Sequence, residues 1–264
     1  MHRWLLLLLL SCANACAGTP GPSQPQRILF VGNSLTYVGN LPATFAAMAN
    51  ANGHTVHSAM IVQGGATLAQ READGSVRKA LADYRPTVLV LQERGGDLMC
   101  RADETACQVS RRAVQALAQA GQEAGARVLL LGSYQPHPGA SAAIVQGERA
   151  TALQAGIGYV EISETLRRLS TEMTASAWYD ADGMHPGPAL TLLDAIQLHR
   201  HLFGTPSAQS FNVAAPIYTP SSGLRAELRN ADAAAPQPAQ TPQGIRYEGT
   251  VIAQFNTMLD AGSE

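Results

Sequence analysis

Five apolar runs recur along the chain, each followed by a stretch of different character: RILFVG (27–32), TVHSAMIV (55–62), TVLVLQE (87–93), RVLLLGSY (127–134) and GYVEIS (158–163). Runs with little polar alternation suit strands covered on both faces, which in practice are parallel strands flanked by helices. The intervening segments 41–54, 71–84, 110–126 and 141–156 carry helical spacing, and a last amphipathic stretch, 188–204, ends at Gly204, a natural helix stop. Strands alternating with helices, joined by right-handed crossovers, leave few topologies. The expected fold is a three-layer α/β/α architecture around a doubly wound, parallel five-stranded sheet.

That body occupies residues 27–204. Residues 205–264 are expected to form an extension packed on the domain or trailing from it. Its stretch 219–243, rich in Pro, Ala, Gln and Ser, reads as a loop or wrapped tail, and 246–262 as a closing helix. At the other end, MHRWLLLLLLSCANACAG has a short basic start, a leucine run and then small residues. Residues 1–17 therefore read as a secretory leader, followed by a polar linker, 18–26. Ala13-Asn14-Ala15 offers a cleavage site before Cys16, whereas Leu9-Leu10-Ser11-Cys12 resembles a lipobox in which Cys12 would be lipidated. Either way the chain is expected to be exported, as a periplasmic, secreted or outer-membrane lipoprotein, touching a membrane only through such an anchor. Export implies an oxidising compartment, and Cys100 and Cys107 flank a short polar stretch, so a disulfide stapling that loop is expected. With no second close cysteine pair, the spacing gives neither a zinc site nor a redox motif. The formal net charge is −2 and no basic run occurs, which excludes a nucleic-acid partner.

Ligands of open parallel sheets bind beyond the carboxyl ends of the strands. The polar residues expected there are Asn33, Ser34 and Thr36; Gln63, Gly64, Gly65 and Thr67; Gln92, Glu93, Arg94 and Asp97; Ser133, Tyr134, Gln135 and His137; and, before the last helix, Asp180, Asp182 and His185. Serine needs a base within hydrogen-bond reach to act as a nucleophile. His185 can serve, with Asp182 three residues earlier turning back to its other ring nitrogen to fix the tautomer. A developing oxyanion needs donors, for which the candidates are the backbone N–H groups of Ser34 and Gly65 and the side-chain amide of Gln92. Weaker substrate contacts are expected from Asn33, Glu93, Arg94, Tyr134 and His137. Of the remaining histidines, His54 and His57 should diverge, one preceding and one entering a strand, and His199 and His201 fall on different faces of a helix; the paired acids Asp180 and Asp182 lack the further ligands of a cation site, so no metal is expected.

The order of these motifs resembles the SGNH/GDSL hydrolases. Gly32-Asn33-Ser34-Leu35-Thr36 resembles their Gly-Asp-Ser strand tip, QGGATL with Gly65 their oxyanion glycine, and Asp182-Gly183-Met184-His185-Pro186 their Asp-x-x-His block. Two departures stand out: Asn33 replaces the usual Asp, and LQERGGD stands where Gly-x-Asn-Asp is expected, so that if Gln92 points into the core, Glu93 or Arg94 faces the site instead. The resemblance spans about 27–204. It implies a serine ester hydrolase on a flavodoxin-like sheet without metal or cofactor, with Ser34 as nucleophile, His185 as base and Asp182 as its orienting acid. An O-acetylated carbohydrate is the leading substrate class, and a longer acyl ester, as for a lipase or thioesterase, the second. The competing functions are a non-catalytic glycan-binding protein on the same fold and a flavodoxin-like nucleotide or flavin binder. The second of these is disfavoured because GNSLTYVG is poor in glycine for a phosphate cradle.

Overall fold

The computed structural model describes residues 24–100, 105–237 and 243–262. The expected leader, with Cys12 and Cys16, and most of the linker lie outside the described residues. Five parallel strands form the sheet: β1 (Gln26–Gly32), β2 (Val56–Val62), β3 (Val88–Leu91), β4 (Arg127–Leu131) and β5 (Gly158–Val160). They stand in the order β2-β1-β3-β4-β5, the doubly wound arrangement the apolar runs imply. A sixth strand, β7 (Arg229–Asn230), adds antiparallel to the β2 edge through Ala59 and Met60, so the sheet is mainly, not wholly, parallel.

The period-two alternation of each strand divides the core into two layers. Ile28, Phe30, Met60, Val62, Val88, Val90, Leu129 and Leu131 point to one side. There they pack on α2 (Leu41–Ala51), α7 (Ser163–Glu172) and α8 (Pro188–Phe203). Leu29, Val31, Ala59, Ile61, Leu89, Leu91, Val128 and Leu130 point to the other. Their partners are α3 (Leu68–Ala73), α4 (Ser76–Tyr84), α5 (Thr105–Glu123) and α6 (Ser141–Ala155). The single helix expected over 71–84 is thus two, parted at Asp74-Gly75. Gly75 holds φ +70°, and the Asp74 carboxylate accepts from Ser76 N at 2.9 Å. Cys100 and Cys107 form a disulfide with Cα atoms 5.3 Å apart, fastening the start of α5 to the loop after β3.

The C-terminal segment is more structured than a loop. β6 (Phe211–Pro216) and β8 (Gln243–Tyr247) form a separate antiparallel pair, and α9 (Gly249–Ala261) closes it. Phe211, Val213, Tyr218, Tyr247, Ile252, Phe255 and Leu259 are buried in the same core layer as α2 and α8. Asn40 makes the polar connection. It is fully buried at φ +53°, its Oδ1 caps α2 by accepting from Ala43 N at 3.2 Å, and its Nδ2 donates to the carbonyls of Pro216 (2.7 Å) and Ala231 (2.8 Å). Among the described residues no helix is long and apolar enough to cross a membrane.

Candidate active site

β1 ends at Gly32, a position where nothing larger fits. A Cβ there would lie 2.1 Å from Thr36 Oγ1 and 3.1 Å from the Gln92 carbonyl oxygen. The chain turns at once into a one-turn helix, α1 (Ser34–Tyr37). Asn33 is its N-cap, with Oδ1 accepting from Leu35 N at 3.0 Å. This cap turns the half-buried Ser34 onto the rim while Leu35, Thr36 and Tyr37 go into the core.

Below this turn lies Gln92, 1% exposed. Its Oε1 accepts from Thr36 Oγ1 at 2.7 Å, its Nε2 donates to the Gly132 carbonyl at 3.1 Å, and its own carbonyl accepts from Asn33 Nδ2 at 3.4 Å. Gln92 therefore knits the tips of β1, β3 and β4 together. It does not line the cavity beside Ser34, and the expectation that its amide serves an oxyanion is corrected: on the Val90 face of the sheet, both of its amide atoms are engaged by Thr36 and the Gly132 carbonyl.

Glu93 takes the opposite face and is equally buried. Its carboxylate accepts from Leu68 N, the first residue of α3, at 3.2 and 3.3 Å, and from Arg94 N at 2.9 Å. Burial pushes this carboxyl up to about 7, aided by Asp97 and opposed by the two backbone donors and Arg94. It straps the loop after β3 to the turn after β2, and does not reach the cavity as a substrate contact. Arg94 does reach it. Its Nε and Nη2 donate to Asp97 Oδ2 at 2.8 and 2.7 Å, and Nη1 lies 3.4 Å from the Gly65 carbonyl oxygen.

The base-bearing loop lies between α7 and α8. Tyr179 and Pro186 bridge antiparallel, Asp180 N donates to the His185 carbonyl at 2.9 Å, and Gly183 N donates to the Asp180 carbonyl at 2.9 Å. Inside this narrow turn Asp182 Oδ1 accepts from Met184 N and His185 N, both at 2.9 Å, and Oδ2 lies 2.5 Å from His185 Nδ1. The hydrogen bond to the His185 ring comes first among the causes that hold the Asp182 carboxyl down at about 2, followed by the backbone N–H of His185. Asp182 is ionised at any working pH, and its ring bond places a proton on Nδ1, leaving Nε2 as an acceptor. The Tyr134 hydroxyl donates to the Met184 carbonyl at 3.2 Å and supports the loop from below.

Ser34, Gly65, Arg94, Gly95, Tyr134 and His185 are among the residues lining one cavity of about 220 Å³. Asn33, Leu35, Gln135, Pro136 and Met184 complete its wall. No hydrogen bond joins Ser34 to His185 among the described residues; such contacts commonly tighten only around substrate. The N–H groups of Ser34, first in its helix, and of Gly65, at φ +67°, likewise have no acceptor among the described residues. Of the expected contacts, Asn33 lines the wall but spends its amide on the α1 cap and the Gln92 carbonyl, and Tyr134 contributes its ring. His137 is exposed and outside the cavity, its Nδ1 accepting from Gly139 N at 3.2 Å within its own turn. Gln135, expected at the end of β4 but given no role in the sequence, stands in the wall, as does Met184 from within the Asp182–His185 block; Pro136 carries no motif that marks it. Among the described residues no three His, Cys, Asp or Glu side chains gather to hold a metal ion.

No family model matches the chain, and no curated protein does. Solved structures do. A protein assigned to the SGNH hydrolases from Slackia heliotrinireducens is 26% identical, with 66% of this chain and 97% of that one covered and a TM-score of 0.54. Axe2, an acetylxylan esterase from Geobacillus stearothermophilus, is 13% identical over 67% of this chain and 94% of its own, with a TM-score of 0.54. TesA is 23% identical over 67% and 98%, with a TM-score of 0.52. The chain has the fold of the SGNH/GDSL hydrolases and, with it, the architecture of a serine ester hydrolase.

Proposed function

We propose that the protein removes short acyl groups, acetyl above all, from the hydroxyls of a carbohydrate, using Ser34, His185 and Asp182. The observation that carries this reading is His185, held 2.5 Å from Asp182 and opening with Ser34 on one cavity. Ser34 Oγ attacks the ester carbonyl as His185 Nε2 takes its proton, and the imidazolium that forms is stabilised by Asp182. The oxyanion of the tetrahedral intermediate receives the free N–H groups of Ser34 and Gly65. His185 passes the proton to the leaving sugar hydroxyl, then draws one from water as it attacks the acyl-enzyme and restores Ser34.

Size favours a small acyl group. A cavity of about 220 Å³ falls below the roughly 300–1,000 Å³ of pockets that enclose larger ligands. A polar rim of Arg94 and Gln135 suits a hydroxyl-rich alcohol part better than a lipid. The acetylxylan ester that names one structural relative is a substrate of this class. In this reading the enzyme works outside the cytoplasm, in keeping with the leader-like N-terminus and the Cys100–Cys107 disulfide. Its partner is a glycan ester, not a nucleic acid.

The test compares the protein with Ser34→Ala on p-nitrophenyl acetate, butyrate and octanoate, then on acetylated xylan with acetate release as readout. Turnover falling steeply with acyl length, and absent in Ser34→Ala, is expected. Octanoate preferred over acetate, or an active Ser34→Ala, would refute the proposal.

A further inference from the structure

With Gln92 drawn into the core, the cavity needs another side-chain donor if the oxyanion is to receive more than two backbone N–H groups. The wall offers few. Asn33 Nδ2 is bound to the Gln92 carbonyl and Gln135 Nε2 to the Gly95 carbonyl. His185 must keep Nε2 for proton transfer. Arg94 remains. Its Nε and Nη2 are held from one side by Asp97, which fixes the guanidinium plane. Nη1 is thereby turned toward the Gly65 carbonyl, at the long distance of 3.4 Å, with a second N–H still to place.

We propose that Arg94 is a catalytic residue, its guanidinium supplying the third oxyanion donor through Nη1 beside the N–H groups of Ser34 and Gly65. This rests on the ester-hydrolase reading above. Two features favour a donor over a receptor for an anionic substrate group. The charge of Arg94 is already matched by Asp97, with both partners on a side accessible to water, so little net field is left to attract a carboxylate from solution. The guanidinium also lies against the peptide carbonyl of Gly65, whose backbone lines the same cavity as Ser34 and His185. A preorganised donor of this kind acts when charge develops and leaves ground-state binding nearly unchanged.

The experiment uses Arg94→Met, which removes the donors, and Arg94→Lys, which keeps an N–H at shorter reach, with Ser34→Ala as control. The wild-type protein is first treated with a fluorophosphonate and the labelled residue found by mass spectrometry. For p-nitrophenyl acetate, Arg94→Met is expected to lose about 10²-fold or more in kcat with KM within about threefold, the scale of one oxyanion donor. Arg94→Lys is expected to recover part of this, and the affinity for phenylboronic acid, whose tetrahedral adduct places an oxygen in the same position, should fall in step with kcat. A role confined to holding the Gly65 loop predicts equal losses in both variants, and that result would overturn the proposal. So would a kcat within threefold of wild type, or a loss expressed in KM and confined to esters of anionic substrates. A wild-type protein that takes up no label at Ser34 overturns the hydrolase reading and this inference together, whereas a labelled wild type with an undiminished Arg94→Met overturns this inference alone.

Discussion

Replacing Glu93 by glutamine tests whether a buried carboxylate straps the two loops that frame the cavity. Glu93 is 1% exposed, and burial raises its carboxyl from an ordinary 4.5 to about 7. At about 1.36 kcal/mol per pH unit, that difference corresponds to about 3 kcal/mol. The raised value means that the folded state prefers the protonated form. The stability this group contributes is complete below pH 4.5 and is lost as the pH rises through about 7. In Glu93→Gln the side chain has no proton to lose. Its amide oxygen can still accept from one of the two backbone donors, Leu68 N or Arg94 N, and the weakened second bond costs about 1 kcal/mol. The variant should therefore be slightly less stable than wild type at pH 5 and about 2 kcal/mol more stable at pH 8. Urea unfolding of both proteins at pH 5, 6, 7 and 8 measures this directly. Glu148, also lifted to about 7 by burial, is present in both and cancels in the difference. Curves that run parallel across this range would refute the reasoning, because Glu93 would then titrate as a solvated carboxyl.

Other consequences are equally open to measurement. Asp182→Asn should lower kcat by about 10²–10⁴-fold with little change in melting temperature, because an amide N–H facing Nδ1 forces the proton onto Nε2 and removes the base; a rate within tenfold of wild type would contradict this. Wild-type activity should show no inflection from Asp182 between pH 4 and 9, since that carboxyl is held at about 2; a pH–rate profile decides it. Cys100→Ser with Cys107→Ser should destabilise the protein by about 2 kcal/mol, the loop-closure value for so short a bridge, readable in the urea midpoint.

The strands of the central sheet are legible in the sequence because burial on both faces leaves unbroken apolar runs, and their order follows from handedness. In the extension the closing helix is legible, as the amphipathic stretch that becomes α9, but the strands are not. β7 is two residues long and too short to carry a period, and β6 pairs with a strand about thirty residues further on, across a Pro-rich stretch. α7 escapes notice because its inward stripe consists of little beyond Leu166 and Leu169 in a charged segment. In the site, Asp182 and His185 can be read because three residues of one loop bring them together. Gln92 cannot. Parity decides only which face of the sheet each of two adjacent strand-end residues takes, and what awaits Gln92 on its face, Thr36 and the Gly132 carbonyl, comes from remote segments. Arg94 stands only among the weaker contacts in the sequence for the same reason.

Asn40 gives the extension a standing that its position in the chain conceals. The same side chain that starts α2, directly after the turn bearing Ser34, also holds the Pro216 and Ala231 carbonyls. Deleting everything after Gly204 would leave a buried amide with no acceptor and bare the apolar side of α2 and α8. The segment therefore cannot be trimmed, exchanged or grafted as an independent module. Recombination that treats 27–204 as a transferable hydrolase would carry away the nucleophile's turn without its anchor.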